Sequence, residues 1–185
     1  MSAGGSLRLF FALPCPPAQA AAICTWRDGL ALDGRPVPAQ NLHLTLAFLG
    51  AQPTSRLEEL TRLAAGLDCP AFALRLDRLA TIGKGFICLL PSAAPPALDY
   101  LVAALRAQLA TQGLVPDSRP FLPHLTLTRH AHERAHGHSP AFAWTVDRFV
   151  LFVSETTAQG ARYRELGSWP LRESGTTDMA APDRG

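Results

Sequence analysis

One short string occurs twice in this chain, as His43-Leu44-Thr45-Leu46 and as His124-Leu125-Thr126-Leu127. Successive side chains of a β-strand point to opposite faces, so His43 and Thr45 share one face while Leu42, Leu44 and Leu46 share the other. The second copy divides its residues in the same way. Two such strands side by side bring two imidazoles and two hydroxyls to one groove. Imidazole has an unperturbed pKa of about 6.5, so one copy can serve as neutral base while the other serves as cationic acid near neutral pH. On opposite sides of a phosphorus the pair can activate a water and protonate the leaving oxygen in line. Thr45 and Thr126 would then donate hydrogen bonds to the non-bridging oxygens. This chemistry requires no metal.

Arg129 lies five positions after His124, where a guanidinium can grip a phosphate bidentately. The odd offset places it on the wrong face of a regular strand. A strand end or a bulge is needed to turn it back, and the competing reading is a solvent-facing arginine.

The elements that must position these residues repeat as well. Leu7 to Leu13 reads as a strand ended by Pro14, and Pro17 opens a helix over Ala18 to Leu30. Asp33 to Pro36 reads as a turn, and the first motif strand runs to about Leu49 and stops at Gly50. A helix capped by Thr54 or Ser55, with Glu58 in the capping-box position, extends to about Leu67. Phe72 to Leu79 and Phe86 to Leu90 read as strands, Ala97 to Ala110 as an amphipathic helix. From the strand-ending proline to the motif histidine there are 29 positions in the first half and 33 in the second. Phe142 to Phe149 echoes Phe72 to Leu79, keeping Phe-Ala and then Asp-Arg. From histidine to that phenylalanine the distance falls from 29 positions to 18, so the second copy replaces a helix with a loop. A duplicated strand–helix–strand–strand unit is expected, with units over about 7–83 and 84–155 interleaved in one domain over 7–171. Gln159-Gly160 turns a closing hairpin, and 172–185 reads as a disordered tail. Two such halves pair naturally into two lobes about a pseudo-twofold axis, with the histidines converging in the groove between them.

Composition narrows the class. A chain of 185 residues with 48% apolar content buries a real core. The formal charge of +2 carries no global attraction to nucleic acid. Of the 17 basic residues only Lys84 is a lysine; arginine is the better bidentate phosphate reader, although genomic base composition explains such a bias equally well. Cys15, Cys24, Cys69 and Cys88 are dispersed and read as small buried hydrophobes of a reducing compartment. The run from Leu7 to Leu13 before Ala18-Gln19-Ala20 imitates a secretory signal, but Arg8 interrupts it and three prolines follow. A cytoplasmic location with no membrane partner is expected.

The Leu9-Phe10-Phe11-Ala12 opening, Asn41 to Leu46 with Phe48-Leu49-Gly50, Arg119-Pro120 with Pro123 to Leu127, and the closing Tyr163 and Trp169 together resemble the two-histidine phosphoesterase superfamily. They are most similar to its bacterial and archaeal RNA 2′,3′-cyclic phosphodiesterases, also called 2′-5′ RNA ligases. The resemblance spans about Leu7 to Leu171. It implies a bilobal α+β fold with antiparallel-rich sheets flanked by helices, no cofactor, and hydrolysis of a terminal 2′,3′-cyclic phosphate to a 2′-phosphate. It also implies His43 as proton donor to the ribose O3′, His124 as proton acceptor from water, and Thr45, Thr126 and Arg129 as phosphate ligands. The sequence alone does not divide the two roles between the histidines. The implied partner is an RNA 3′ end bearing the cyclic phosphate, tRNA fragments and small nucleotides included, and a monomer is expected. Action on a small cyclic nucleotide or a 2′-5′ linkage, and a non-catalytic module that binds RNA ends, remain as alternatives.

Two features stand outside this pattern. The run His130, His132, His136 and His138 carries two His-x-His pairs that could bind zinc or nickel, against the simpler reading of a solvated loop rimming the groove. A nucleotide needs an aromatic platform, for which Phe10, Phe11 and Phe48 are near enough. Each is expected in the core, and none is assigned to the site.

Overall fold

The computed structural model describes residues 5–115, 119–138 and 140–173. In chain order its elements are β1 (Ser6–Pro14), α1 (Pro17–Gly29), β2 (Arg35–Pro36), β3 (His43–Pro53), α2 (Leu57–Ala65), β4 (Phe72–Leu76), β5 (Arg78–Ile82), β6 (Phe86–Leu90), α3 (Pro96–Thr111), β7 (Leu125–Arg129), β8 (Phe142–Val146), β9 (Arg148–Thr157) and β10 (Gly160–Pro170). The apolar run that imitates a signal segment becomes β1, an inner strand between β3 and β9. Leu9 through Leu13 are all buried, because both faces of this strand are covered. Leu9, Phe11 and Leu13 join the main core. Phe10 and Ala12 form a smaller cluster with Val150 and Phe152 on the other face, packed by Tyr163. Full burial of a side chain such as Phe11 contributes on the order of 2–3 kcal/mol. Among the described residues, no helix is long and apolar enough to cross a membrane.

The sheet path runs β10-β9-β1-β3-β7-β6-β5, all antiparallel, with β2 alongside β7. The two sheets expected from the repeat are therefore the two wings of one hydrogen-bonded path, joined where β3 meets β7 at the single pair Leu44–Leu125. These leucines hold the same place in the two motifs, so a local twofold axis passes between them. The echoing segments behave likewise. β4 and β8 form a separate two-stranded sheet in which Leu74 pairs with Trp144, again equivalent positions. Both echoes break after five strand residues, at Asp77 and Asp147, where the chain passes from the small sheet to the large one. Ser92 donates to both carboxylate oxygens of Asp77, at 2.7 and 2.8 Å, and holds its pKa below the usual value. Beyond these breaks, β5 pairs with β6 and β9 with β1, so the last strand of each unit completes the wing of the other.

Three expectations are revised. The helix after the first motif strand has no side-chain cap: Thr54–Arg56 form a 3-10 turn, the helix starts at Leu57, and Glu58 instead pairs with Arg62 at 2.7 Å. β3 does not stop at Gly50 but continues to Pro53, with Gly50 at φ 68° absorbing an irregularity opposite Leu9 and Phe10. Arg35 and Pro36, read as a turn, pair as a short strand with Arg129 and Thr128. All four cysteines are free; Cys69 and Cys88 are buried, whereas Cys15 and Cys24 are half-buried. The expected tail falls outside the described residues from 174 onwards; Arg172 itself is tied to Pro70 by a β-bridge and to Asp68 at 3.0 Å.

Candidate active site

The Leu44–Leu125 pair dictates the groove. Antiparallel continuation from it sets Thr45 opposite His124 and His43 opposite Thr126. Thr45 and His124 line one cavity of about 630 Å³, with Phe48 and Phe121 in its wall. His43, Thr45 and Arg129 line an adjoining cavity of about 390 Å³, with Arg8, Phe48 and Tyr163. Thr45 and Phe48 form the divide between the two.

Both rings are held by one device. Nδ1 of His43 lies 2.7 Å from the carbonyl oxygen of Asn41, and Nδ1 of His124 lies 2.8 Å from that of Leu122. A carbonyl only accepts, so each Nδ1 carries a proton and each Nε2 is left as the working nitrogen. Nε2 of His43 accepts from Thr45 Oγ1 at 3.0 Å. The 3-10 turn Ala39–Asn41 supplies the first of these carbonyls, and the buried Asn41 side chain anchors that turn by donating to the carbonyl of Ala161 in β10 at 2.7 Å.

His43 is packed against aromatics. The Phe10 ring lies 5.0 Å from it, and the Tyr163 ring meets it edge-on at 5.1 Å. Burial lowers its pKa to about 4; the charges of Arg129 and His124 act in the same direction, and the Asn41 carbonyl opposes them. At pH 7 His43 is thus a neutral imidazole.

Arg129 reaches the groove through a bulge. Opposite Ile87 and Cys88 stand Thr128 and Thr126, so Leu127 is an extra residue in β7. Parity is reversed after it, and the Arg129 guanidinium arrives beside His43, where it donates to the Tyr163 hydroxyl at 3.1 Å. β3 carries the same bulge at the equivalent Leu46, between the partners of Phe11 and Ala12. Thr126 rests on the buried Cys88, whose sulfur is 3.7 Å from its hydroxyl. Burial pushes that thiol up to about 11, leaving it unreactive.

Of the five residues singled out in the sequence, His43, Thr45 and Arg129 line one cavity and Thr45 and His124 the adjoining one, whereas Thr126 lies on β7 against Cys88 and lines neither. The sequence reading did not assign Asn41, Tyr163 or Arg8 to the site. Asn41 was within reach, two residues before a motif histidine. Nothing in its local spacing points to Tyr163, which comes to His43 only through the β9–β10 hairpin. Phe48, expected in the core, is half-exposed.

The His-rich run forms a loop anchored from outside. The Asp33 carboxylate accepts from the backbone N–H groups of His132 and Glu133 at 2.6 and 3.2 Å, and Thr81 Oγ1 accepts from that of Ala135 at 2.8 Å. Among the described residues, no group of three or more His, Cys, Asp or Glu side chains is placed to hold a metal ion. His130 lines a cavity with Lys84 and Arg134 on one side and a cavity with Arg35 and Arg129 on the other.

Fold and site define a class: a duplicated α+β scaffold that presents two His-x-Thr strands across a twofold axis. The chain belongs to the 2′-5′ RNA ligase superfamily, whose family model matches residues 14–158. It is 37% identical over 171 residues to an RNA 2′,3′-cyclic phosphodiesterase of Escherichia coli (strain K12), covering 90% of this chain and 97% of that one. A second protein of that name, from Thermus thermophilus, is 29% identical over 95% of this chain and 96% of its own. Among solved structures, E. coli LigT complexed with 3′-AMP superimposes with a TM-score of 0.85 at 36% identity, covering 90% of this chain and 99% of that chain.

Proposed function

We propose that this chain is an RNA 2′,3′-cyclic phosphodiesterase that opens a terminal cyclic phosphate to a 2′-phosphate. The observation that supports this reading is the Leu44–Leu125 pairing, which lays the two His-x-Thr strands side by side. The relatives' names agree with that chemistry.

In the proposed reaction the cyclic phosphate lies between the two Nε2 atoms. His124 takes a proton from water, which attacks phosphorus opposite O3′, while His43 gives its Nε2 proton to the departing O3′. Thr45 and Thr126 donate to the non-bridging oxygens, and Arg129, steadied by Tyr163, grips them through its fork. His43 must be cationic for its part. The phosphate anion supplies the opposite charge that offsets Arg129 and raises its pKa. The substrate itself thus charges the acid. The low pKa that burial gives His43 favours a second reading, in which the two histidines exchange roles.

A substrate with sulfur in place of the bridging O3′ separates the two readings. A thiolate leaves without a proton, its conjugate acid having a pKa of about 8.5 against far higher values for an alcohol. Each single substitution, His43→Ala or His124→Ala, lowers kcat on the oxygen substrate by about 10²–10⁴-fold. The sulfur substrate restores His43→Ala towards wild type and leaves His124→Ala slow. Restoration of His124→Ala instead would exchange the roles. We also propose that residues 7–171 act as one domain of two interleaved units, about 7–83 and 84–155, working as a monomer on RNA ends. Small cyclic nucleotides and fragments of tRNA fall within the same chemistry.

A further inference from the structure

Arg35 and Arg129 stand directly opposite each other in the β2–β7 pair. Side chains opposite one another in an antiparallel pair share a face, and like charges in that relation repel. Both line one cavity of about 500 Å³, none of whose lining residues is acidic. Neither arginine forms an ion pair among the described residues. The pair is nevertheless held in place. Arg35 donates through Nη2 to the carbonyl of Gln159 at 2.8 Å. A Cβ at Gly160 would lie 2.5 Å from that same atom, so the guanidinium rests in room that only a glycine leaves. Two cations fixed side by side with no carboxylate between them form a seat for an anion.

The seat adjoins the groove, since its cavity shares Arg129 and Tyr163 with the cavity of His43. In the proposed reaction Arg129 turns to the reacting phosphate, which leaves Arg35 and His130 for the next anion. His130 stands at φ 58°, a left-handed conformation uncommon outside glycine, and lines both this cavity and the one that holds Lys84 and Arg134. The other basic wall of the groove differs, because the Arg106 guanidinium there lies over the Phe121 ring at 5.8 Å. An RNA 3′ end brings a second anion of its own: the phosphodiester that joins the terminal nucleotide to the one before it. We propose that Arg35 and His130 form a second phosphate subsite for this phosphodiester, by which the protein favours oligonucleotide ends over mononucleotides; this rests on the cyclic-phosphate reading. The chain upstream then leads towards Lys84 and Arg134.

The test compares three substrates on wild type and Arg35→Gln: adenosine 2′,3′-cyclic phosphate, an adenosine dinucleotide ending in a 2′,3′-cyclic phosphate, and the same dinucleotide with a neutral methylphosphonate linkage. The upstream ribose is 2′-O-methylated in both dinucleotides, so that the neutral linkage stays intact. Wild type is expected to show a KM for the charged dinucleotide about three- to tenfold below that for its neutral analogue, the range of one partly exposed charge-assisted contact. Added salt narrows this difference. Arg35→Gln is expected to raise KM for the charged dinucleotide to that of the neutral one and to leave the other two KM values unchanged. Equal KM for the two linkages in wild type overturns the proposal. So does an Arg35→Gln variant that keeps the preference, which would move the linkage to the Arg106 wall, or one that loses affinity for all three substrates alike, which would make Arg35 a support for Arg129. If wild type hydrolyses none of the three, the cyclic-phosphate reading itself falls. The subsite is then judged by calorimetric titration with the two dinucleotides, where tighter binding of the charged linkage, lost in Arg35→Gln, supports it and equal or no binding refutes it.

Discussion

Asn41 and Leu122 do the same work for the two histidines, each lending a backbone carbonyl to Nδ1. The rings differ in what surrounds them. His43 lies under Phe10 and Tyr163 and is pushed to about 4, and this difference can be read from kinetics. The profile of kcat/KM reports the free enzyme and that of kcat the substrate complex. Because His43 must be protonated to act, the limb it sets, the loss of activity as pH rises, should lie near pH 4 in kcat/KM. In kcat the same limb should move up by about one unit or more, because a bound anion favours the charged imidazole. Coincident limbs near the ordinary imidazole value would show that burial does not set the His43 titration.

At the scale of elements, the two bulges decide which side chains meet the phosphate. Alternation alone carried His43, Thr45, His124 and Thr126 from the sequence to one face, since these residues precede the irregularity in each strand. It failed beyond, at Arg129 and at Phe48. A bulge depends on how a strand registers against its neighbour, here β6 against β7 and β1 against β3, and the neighbour is not encoded locally. The missed helix cap has a similar cause: Thr54 and Ser55 entered a 3-10 turn, so their side chains no longer preceded the first helical turn. Arg129 gives the element-scale prediction. Arg129→Lys keeps the charge but loses the fork, and is expected to raise KM about tenfold, with Arg129→Ala worse still. Equal KM in wild type and Arg129→Ala would remove this residue from phosphate binding.

The whole molecule was legible because it says everything important twice. The repeated motif, the Phe72 and Phe142 echoes and the proline-to-histidine intervals together led to a twofold arrangement. In the structure Leu44 pairs with Leu125 and Leu74 with Trp144, equivalent positions of the two units in each case. The pairing of the echoes with each other, and the exchange of β5 and β9 between wings, were not legible. Each depends on a contact between distant segments that leaves no pattern within either. β10 has no counterpart in the repeat, and it is the strand that carries Tyr163 to His43.

The central claim is that the twofold groove is a two-histidine phosphodiesterase site, and one measurement tests it most directly. Purified protein is incubated with an oligonucleotide bearing a 2′,3′-cyclic phosphate, in excess EDTA, and the position of the product phosphate is determined. The expected result is full conversion to a 2′-phosphate by wild type, and loss of about 10²–10⁴-fold in rate for His43→Ala and for His124→Ala, each still folded. A 3′-phosphate product, activity that EDTA abolishes and zinc restores, or undiminished rates in both variants would contradict it.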